Sequence, residues 1–307
     1  MHDISAAPTR EAPPARAIVS IGIFAHNDAA TVSGVVGAFL AQAERDPRVV
    51  EVVLVSCAST DATVAEARRA AGGSPLFQVV ERSRREGKLR AMDDFFARAR
   101  GTVLVLCGAD TVPADDALAR LVDPLDDFPT VGMVGGRVVP VGPPADLAGR
   151  LNEALWRLHH LVAREDPKLG EIVALRSRLT GRERPDGVFC DEVTFEHATR
   201  RSGLGLRYDS EPLAYNRPPA SLRALFAQRR RIACQHRAAR RVLGYVPATY
   251  RTGAAAAAVA RLAAARPRAT PTLALLMAVE ALARTLALAD YTCGRRYATW
   301  SRARADA

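Results

Sequence analysis

Lysine is nearly missing from this chain: of 307 residues two are lysine, Lys88 and Lys168, against 41 arginines. With the abundant alanine, that bias points to a GC-rich coding sequence more than to chemistry. Sulfur is sparse as well. The five cysteines, at 57, 107, 190, 234 and 293, show neither zinc-site nor Cys-x-x-Cys spacing. Their odd number argues against a disulfide framework. The amino-terminal MHDISAAPTREAPPAR holds no apolar core of a signal peptide, so residues 1–16 are expected to form a Pro/Ala-rich disordered tail. Together these absences lead to the expectation of a reducing, cytoplasmic setting. Aromatic residues make up 6% and do not interleave with the basic residues, which argues against nucleic-acid binding. No apolar run reaches the ~20 residues of a spanning helix. The most apolar stretch, residues 273–289, carries Glu280 and Arg284 inside it. Their i,i+4 spacing fits a helix with one wet edge, lying on a membrane surface or else buried or dimer-forming, with a spanning helix as the third alternative.

What is present is ordinary globular material, 49% hydrophobic and 25% charged, enough for one large or two small domains with a sizeable core. The net charge of +10 is unevenly placed. Residues 217–307 hold 17 arginines and only Glu280, Asp290 and Asp306 as acids, a charge of +14, so residues 1–216 carry −4. Such a block is either a solvated basic tail or a surface for an anionic partner, a membrane face or a phosphorylated substrate.

Short Val/Ile-rich runs alternate with helical patterns from the start. Strand patterns occupy 17–25, 49–56, 76–82 and 102–109, followed by helical spacing at 28–43, from 61, at 86–100 and from 114. This alternation predicts an α/β fold of βαβ units around a mostly parallel sheet. Beyond Thr130 come a Gly-interrupted strand (131–141), a helix (147–163), a strand (171–177), a helix (191–202) and a long basic helix (221–243). The Ala-rich 253–265 and the apolar 273–289 form a helical carboxy-terminal extension. In parallel sheets ligands bind beyond the carboxyl ends of the strands. Four of those ends carry polar sets: Ala25-His26-Asn27-Asp28, Ser56 to Asp61, Arg84 to Lys88 leading to Asp93, and Gly108-Ala109-Asp110-Thr111.

With these ends the chain resembles the family-2 glycosyltransferases. The likeness is carried by IGIFAHNDAATV, EVVLVSCASTDAT, REGKLRAMDDFFARARGTVLVLCGADTVPADDAL, GVFCDEVTFEHATRRSG and SLRALFAQRRRIACQH, in that order over about residues 17–240. It implies a Rossmann-like GT-A fold over 17–245, with 246–307 as the extension, and inverting transfer from a nucleoside-diphosphate sugar to an acceptor hydroxyl. A UDP-sugar is favoured as donor, with GDP or dTDP as alternatives. The same resemblance implies the roles. Ala25, His26, Asn27 and Asp28 end the first strand on the nucleoside. Ser56, Ser59 and Asp61 hold base and ribose, and Lys88 lies beside the nucleotide. Gly108, Ala109 and Asp110 match the Asp-x-Asp motif, so Asp110 is the expected ligand of a divalent cation, Mn²⁺ or Mg²⁺. Glu192 matches the acid that deprotonates the acceptor, after Asp191, and Gln228 and Arg231 match the Gln-x-x-Arg-Trp motif.

The chemistry asks for the same groups. A diphosphate leaving group needs its charge neutralised, which a hard cation on few carboxylates does. A positioned carboxylate must take the acceptor's proton. An arginine such as Arg231 can grip phosphate oxygens. Three departures stand out: Gly108 replaces the first acid of Asp-x-Asp, Ser56-Cys57 stands where many members have Asp-Asp or Asp-Asn, and Ile232 replaces the tryptophan. Gly108 leaves one carboxylate for the metal and keeps open a second reading, an inactive partner subunit with the same fold. Structural alternatives also stand. Asp61 reads equally as a helix N-cap, His26 as a turn residue, Asp191 and Glu192 as helix-start acids, and Arg229–Arg231 as a solvated helix face. His159 and His160 read as structural, and Cys190 as a bystander. The expected partners are the sugar donor, a hydroxyl acceptor (a lipid-linked or cell-envelope saccharide, or a secondary metabolite), an anionic membrane surface at the inner face of the cell membrane, and a second copy of the chain.

Overall fold

The computed structural model describes residues 16–142, 146–181, 191–295 and 297. The 1–16 tail, except Arg16, and Cys190 lie outside the described residues. The first half is β1 (Val19–Ala25), α1 (Val32–Ala43), β2 (Val49–Cys57), α2 (Thr63–Ala71), β3 (Phe77–Arg82), α3 (Lys88–Phe96) and β4 (Val103–Gly108). Then come β5 (Thr111–Pro113), α4 (Ala117–Asp127), β6 (Val131–Pro140), α5 (Leu147–Ala163), β7 (Ile172–Arg176), α6 (Asp191–Arg201) and β8 (Gly205–Asn216). The helices α7 (Leu222–Leu243), α8 (Thr252–Ala265) and α9 (Thr270–Thr292) follow.

Eight strands form one sheet in the order β3-β2-β1-β4-β7-β6-β8-β5. The first four run parallel, β7 is antiparallel to both β4 and β6, and β6 is parallel to β8. Continuous apolar runs make β1 and β4 buried on both faces, as helices on each side require. Alternate side chains separate the two layers: Ile21, Ile23 and Leu54 meet Phe39 of α1 and Leu121 of α4, while Phe24 and Val55 meet Phe95 of α3 and Phe195 of α6. Strand β8 was not apparent from the sequence pattern. Its alternation breaks at Asp209–Pro212, where the pairing with β6 slips, and Pro212 cannot donate to a ladder.

The last three helices pack on α5 through Leu151, Leu158, Leu225, Leu262, Leu273 and Leu276. Helix α7 starts where Ser221 Oγ accepts the Ala224 N–H at 3.2 Å and stops at Gly244, whose φ of 68° is the left-handed region. The segment 267–292 is long and apolar enough to cross a membrane by length and composition. Its acids, however, do not form a wet edge. Glu280 and Asp290 are buried against α7, where Arg229 grips Glu280 and Arg230 grips Asp290 with two bonds of 2.6 Å. Arg229 and Arg230 are thus packing partners of α9 rather than a solvated face. The i,i+4 partner Arg284 lies 3.5 Å from Glu280 and stacks over the Tyr250 ring. Outward, α9 exposes Leu275, Leu282 and Leu288.

Candidate active site

The carboxyl ends of β1, β2 and β4 open into one cleft, and each end is shaped by hydrogen bonds that its own sequence supplies. Beyond Ala25 the chain turns through Asn27, which adopts φ 56°, a conformation asparagine tolerates better than most residues. His26 Nδ1 lies 2.6 Å from the Cys57 carbonyl, and the His26 N–H donates to Asp28 Oδ2 at 2.9 Å. His26 therefore joins β1 to β2 as a turn residue. Asn27 exchanges bonds with the second loop: its N–H donates to Ser59 Oγ at 3.1 Å, and its Oδ1 accepts the Thr60 N–H at 2.8 Å. Ser56 Oγ donates to Ser59 Oγ at 2.9 Å.

Asp61 ties the start of α2 to the first loop. It accepts the Thr63 N–H at 3.0 Å at the start of α2 and the Ala29 N–H at 3.2 Å from the first loop. Burial pushes its carboxyl upward, but the bonds from Thr63 and Ala29 outweigh this and hold it below the usual carboxylate range. The two loops thus form one preset surface next to buried Asp28.

A cavity of about 60 Å³ marks the floor of the cleft, lined by Ala25, His26, Asp28, Lys88, Gly108 and Asp110. Phe24, Cys57, Arg85 and Gly87 complete it. The Ala109 N–H donates to the Phe24 carbonyl at 3.0 Å, which fixes the end of β4 against β1. At Gly108 a β-carbon would stand 2.8 Å from Asp110 Oδ1, so a side chain there would make that carboxylate shift. The Asp110 carboxylate has turned back over the strand end into the room that glycine leaves.

Lys88 opens α3 after Gly87, whose φ of 92° makes the turn into the helix. Its Nζ lies 3.5 Å from Glu192 Oε1 near the start of α6, with both side chains largely buried. One helical turn on, the fully buried Glu196 meets the other lysine, Lys168, at 3.3 Å. Glu196 also accepts the Leu169 N–H at 2.8 Å and the Tyr245 hydroxyl at 3.0 Å. Both lysines of the chain therefore hold consecutive glutamates on one face of α6. Asp191 is the first residue of α6, and its side chain lies outside the described residues.

Glu171 was not singled out in the sequence. It precedes β7 with φ 60°, and Thr111 Oγ1 lies 3.5 Å from both Glu171 Oε2 and Asp110 Oδ1. The charges of Asp110, Lys88 and Glu171 all reach the buried Cys107 thiol, which burial pushes well up. Finding Glu171 from sequence requires knowing that β7 runs antiparallel beside β4, which no periodicity reveals. Arg85 was seen in its loop but not as a cleft residue. Gln228 and Arg231 are half-buried on α7. His160 pairs with the Tyr208 hydroxyl at 3.0 Å, and His159 packs beside Trp156, where burial pushes its imidazole down to about 3. Among the described residues no group of three or more His, Cys, Asp or Glu could hold a metal ion by itself.

A larger cavity, about 820 Å³, lies at the opposite, amino ends of the strands. There Arg48 binds Asp46, Asp123 and Asp126, each at 2.7–2.8 Å, so it is a closed ion-pair cluster at the end of the sheet where α/β folds do not bind ligands.

A cleft at the carboxyl ends of the parallel strands, with preset polar loops and a carboxylate after the fourth strand, lies where open α/β sheets bind their ligands. Residues 20–177 match the model of glycosyl transferase family 2, and the chain belongs to that family. No curated protein matches the chain by sequence. Among solved structures it is similar to a mannosyltransferase from Pyrobaculum calidifontis in complex with GDP-Man and Mn²⁺: 25% identity, TM-score 0.60, covering 92% of this chain and 88% of that one. It is also similar in fold to glucosyl-3-phosphoglycerate synthase from Mycobacterium tuberculosis in complex with Mn²⁺, UDP and phosphoglyceric acid. That match has 21% identity and a TM-score of 0.53, and covers 71% of this chain and 77% of that one. The fold is the GT-A fold of those transferases with a helical carboxy-terminal extension.

Proposed function

We propose that the chain is an inverting glycosyltransferase, of a branch with Gly-x-Asp in place of Asp-x-Asp, that moves a sugar from a nucleoside diphosphate to an acceptor hydroxyl. The observation that carries this reading is the gathering of Asp110, Lys88 and Glu192 around one cleft at the strand ends. Residues 17–245 form the transferase unit and 246–307 its extension. The loops at Asn27–Asp28 and Ser56–Asp61 seat the nucleoside.

The donor set suits a hard divalent cation, Mn²⁺ or Mg²⁺, because such ions bind through one or two carboxylates and substrate phosphates. Asp110, whose carboxylate lies in the space that Gly108 leaves, would hold it from the protein side. When bound, the cation supplies charge neutralisation on the departing diphosphate. Lys88, at the amino end of α3, adds positive charge on the same side, where helix N–H groups also favour phosphate. Glu192, fixed by Lys88, accepts the proton of the acceptor hydroxyl as the oxygen attacks the anomeric carbon opposite the leaving group. The extension, with exposed Arg266 and Arg268 at the start of an α9 that bares leucines, serves as a contact with an anionic membrane face.

Replacing Glu192 by Gln tests the base. Turnover with UDP-, GDP- or dTDP-sugars should fall about 100- to 10,000-fold, while nucleotide binding by calorimetry stays within a small factor. Unchanged turnover removes Glu192 from the role. A wild-type chain that binds nucleotide yet transfers nothing across an acceptor panel is instead the non-catalytic partner subunit that Gly108 first suggested.

A further inference from the structure

We propose that Glu171 replaces the acid missing at position 108 and supplies, with Asp110, the second protein carboxylate for the divalent cation; this rests on the transferase reading above. The meeting of two strand ends carries the inference. Strands β4 and β7 pair antiparallel up to Cys107 opposite Ile172, so Glu171, immediately before β7, lies where that strand begins beside the end of β4. The carboxylate lost from the end of β4 has a counterpart there, and Thr111 Oγ1 lies 3.5 Å from both that carboxylate and Asp110.

Glycine at 108 is what makes this arrangement fit. A β-carbon there would stand 2.8 Å from Asp110 Oδ1 and displace that carboxylate, which lies, like Glu171, 3.5 Å from the Thr111 hydroxyl. Glu171 itself holds φ 60°, a region unfavourable for a non-glycine residue that persists where surroundings over-determine it. Those surroundings are present. Lys168 and Leu169, separated from Glu171 by Gly170, are locked to Glu196 of α6, so the backbone that presents Glu171 is tied to the helix that presents Glu192. Two carboxylates, completed by diphosphate oxygens and water, form a donor set that suits Mn²⁺ or Mg²⁺.

The test measures Mn²⁺ binding to the full chain by electron paramagnetic resonance and by calorimetry, alone and with UDP, GDP or dTDP. Wild type is compared with Glu171→Gln and Glu171→Gly. The glycine variant suits the left-handed backbone and so protects against simple misfolding. Both variants should lose about 10-fold or more in Mn²⁺ affinity. Metal-free nucleotide binding should be unchanged, and the glycine variant should melt no lower than wild type. If wild type gains nucleotide affinity from Mn²⁺ and both variants keep that gain in full, the assignment of Glu171 is overturned and the transferase reading stands. If wild type binds none of the nucleotides with or without Mn²⁺, the transferase reading itself fails, and this inference with it.

Discussion

Gly108 shows how one missing side chain can be read two ways. In sequence it is a lost acid and motivates an inactive protein; in the structure it is the space that the Asp110 carboxylate occupies. The displaced group is the end of a short side chain, so Gly108→Ala should leave the fold intact. It should still swing Asp110 away from its present position and weaken Mn²⁺-dependent nucleotide binding about 10-fold, as disturbances to residues that orient a ligand do. Calorimetry with and without Mn²⁺ checks this, and an alanine variant with wild-type metal dependence would remove the steric account of Gly108. The two lysines carry a related lesson. In a chain that uses arginine elsewhere, both lysines contact acids of α6, where a compact ammonium fits between close carboxylates and a planar guanidinium demands more room.

At the scale of elements, α9 has an inward polar face that its composition hid. Its acids are spaced to meet consecutive arginines of α7, and Arg229 with Glu280 is a buried pair. Removing one partner leaves an uncompensated buried charge, so Arg229→Ala should cost about 3–5 kcal/mol in urea unfolding. The double change Arg229→Met with Glu280→Leu should recover most of that, since apolar groups of similar volume replace such pairs at little cost. A single variant within about 1 kcal/mol of wild type would show that the pair does not hold α7 to α9. The helical periods of α5, α7 and α9 were legible in sequence, whereas β8 and the three-residue β5 were not. Strands that short or that interrupted owe their conformation to the neighbour they pair with, not to their own pattern.

For the molecule as a whole, charge is the organising quantity. The basic last third is partly neutralised from within: Arg251 meets Asp166 at 2.6 Å, Arg261 meets Glu165, and α7 meets the acids of α9. Arg266 and Arg268 remain exposed at the start of a helix that bares Leu275, Leu282 and Leu288. Those features together favour an anionic lipid surface, whose attraction is worth about 1 kcal/mol per basic residue and is screened by salt. The chain should therefore sediment with phosphatidylglycerol vesicles at low ionic strength, less so at high salt, and not with phosphatidylcholine vesicles. Equal recovery with both lipids, or with neither, would refute an electrostatic membrane contact, and a concentration-dependent dimer in light scattering would assign the apolar strip to a second copy instead.

Sequence alone determined the alternation of strands and helices, the cleft's place at the strand ends and most of its polar residues, because burial periodicity and turn chemistry are local properties. Asn27, Asp61 and Asp110 could be named for that reason: each lies in a loop that follows a recognisable strand. Only the tertiary structure decided what depends on strands lying side by side. It brought Glu171 to the end of β4 near Asp110, turned Glu280 and Asp290 inward against α7, and joined Lys88 to Glu192 across about a hundred residues of chain. Register and helix orientation are set by the packing of the whole core, and no single stretch of the chain contains that information.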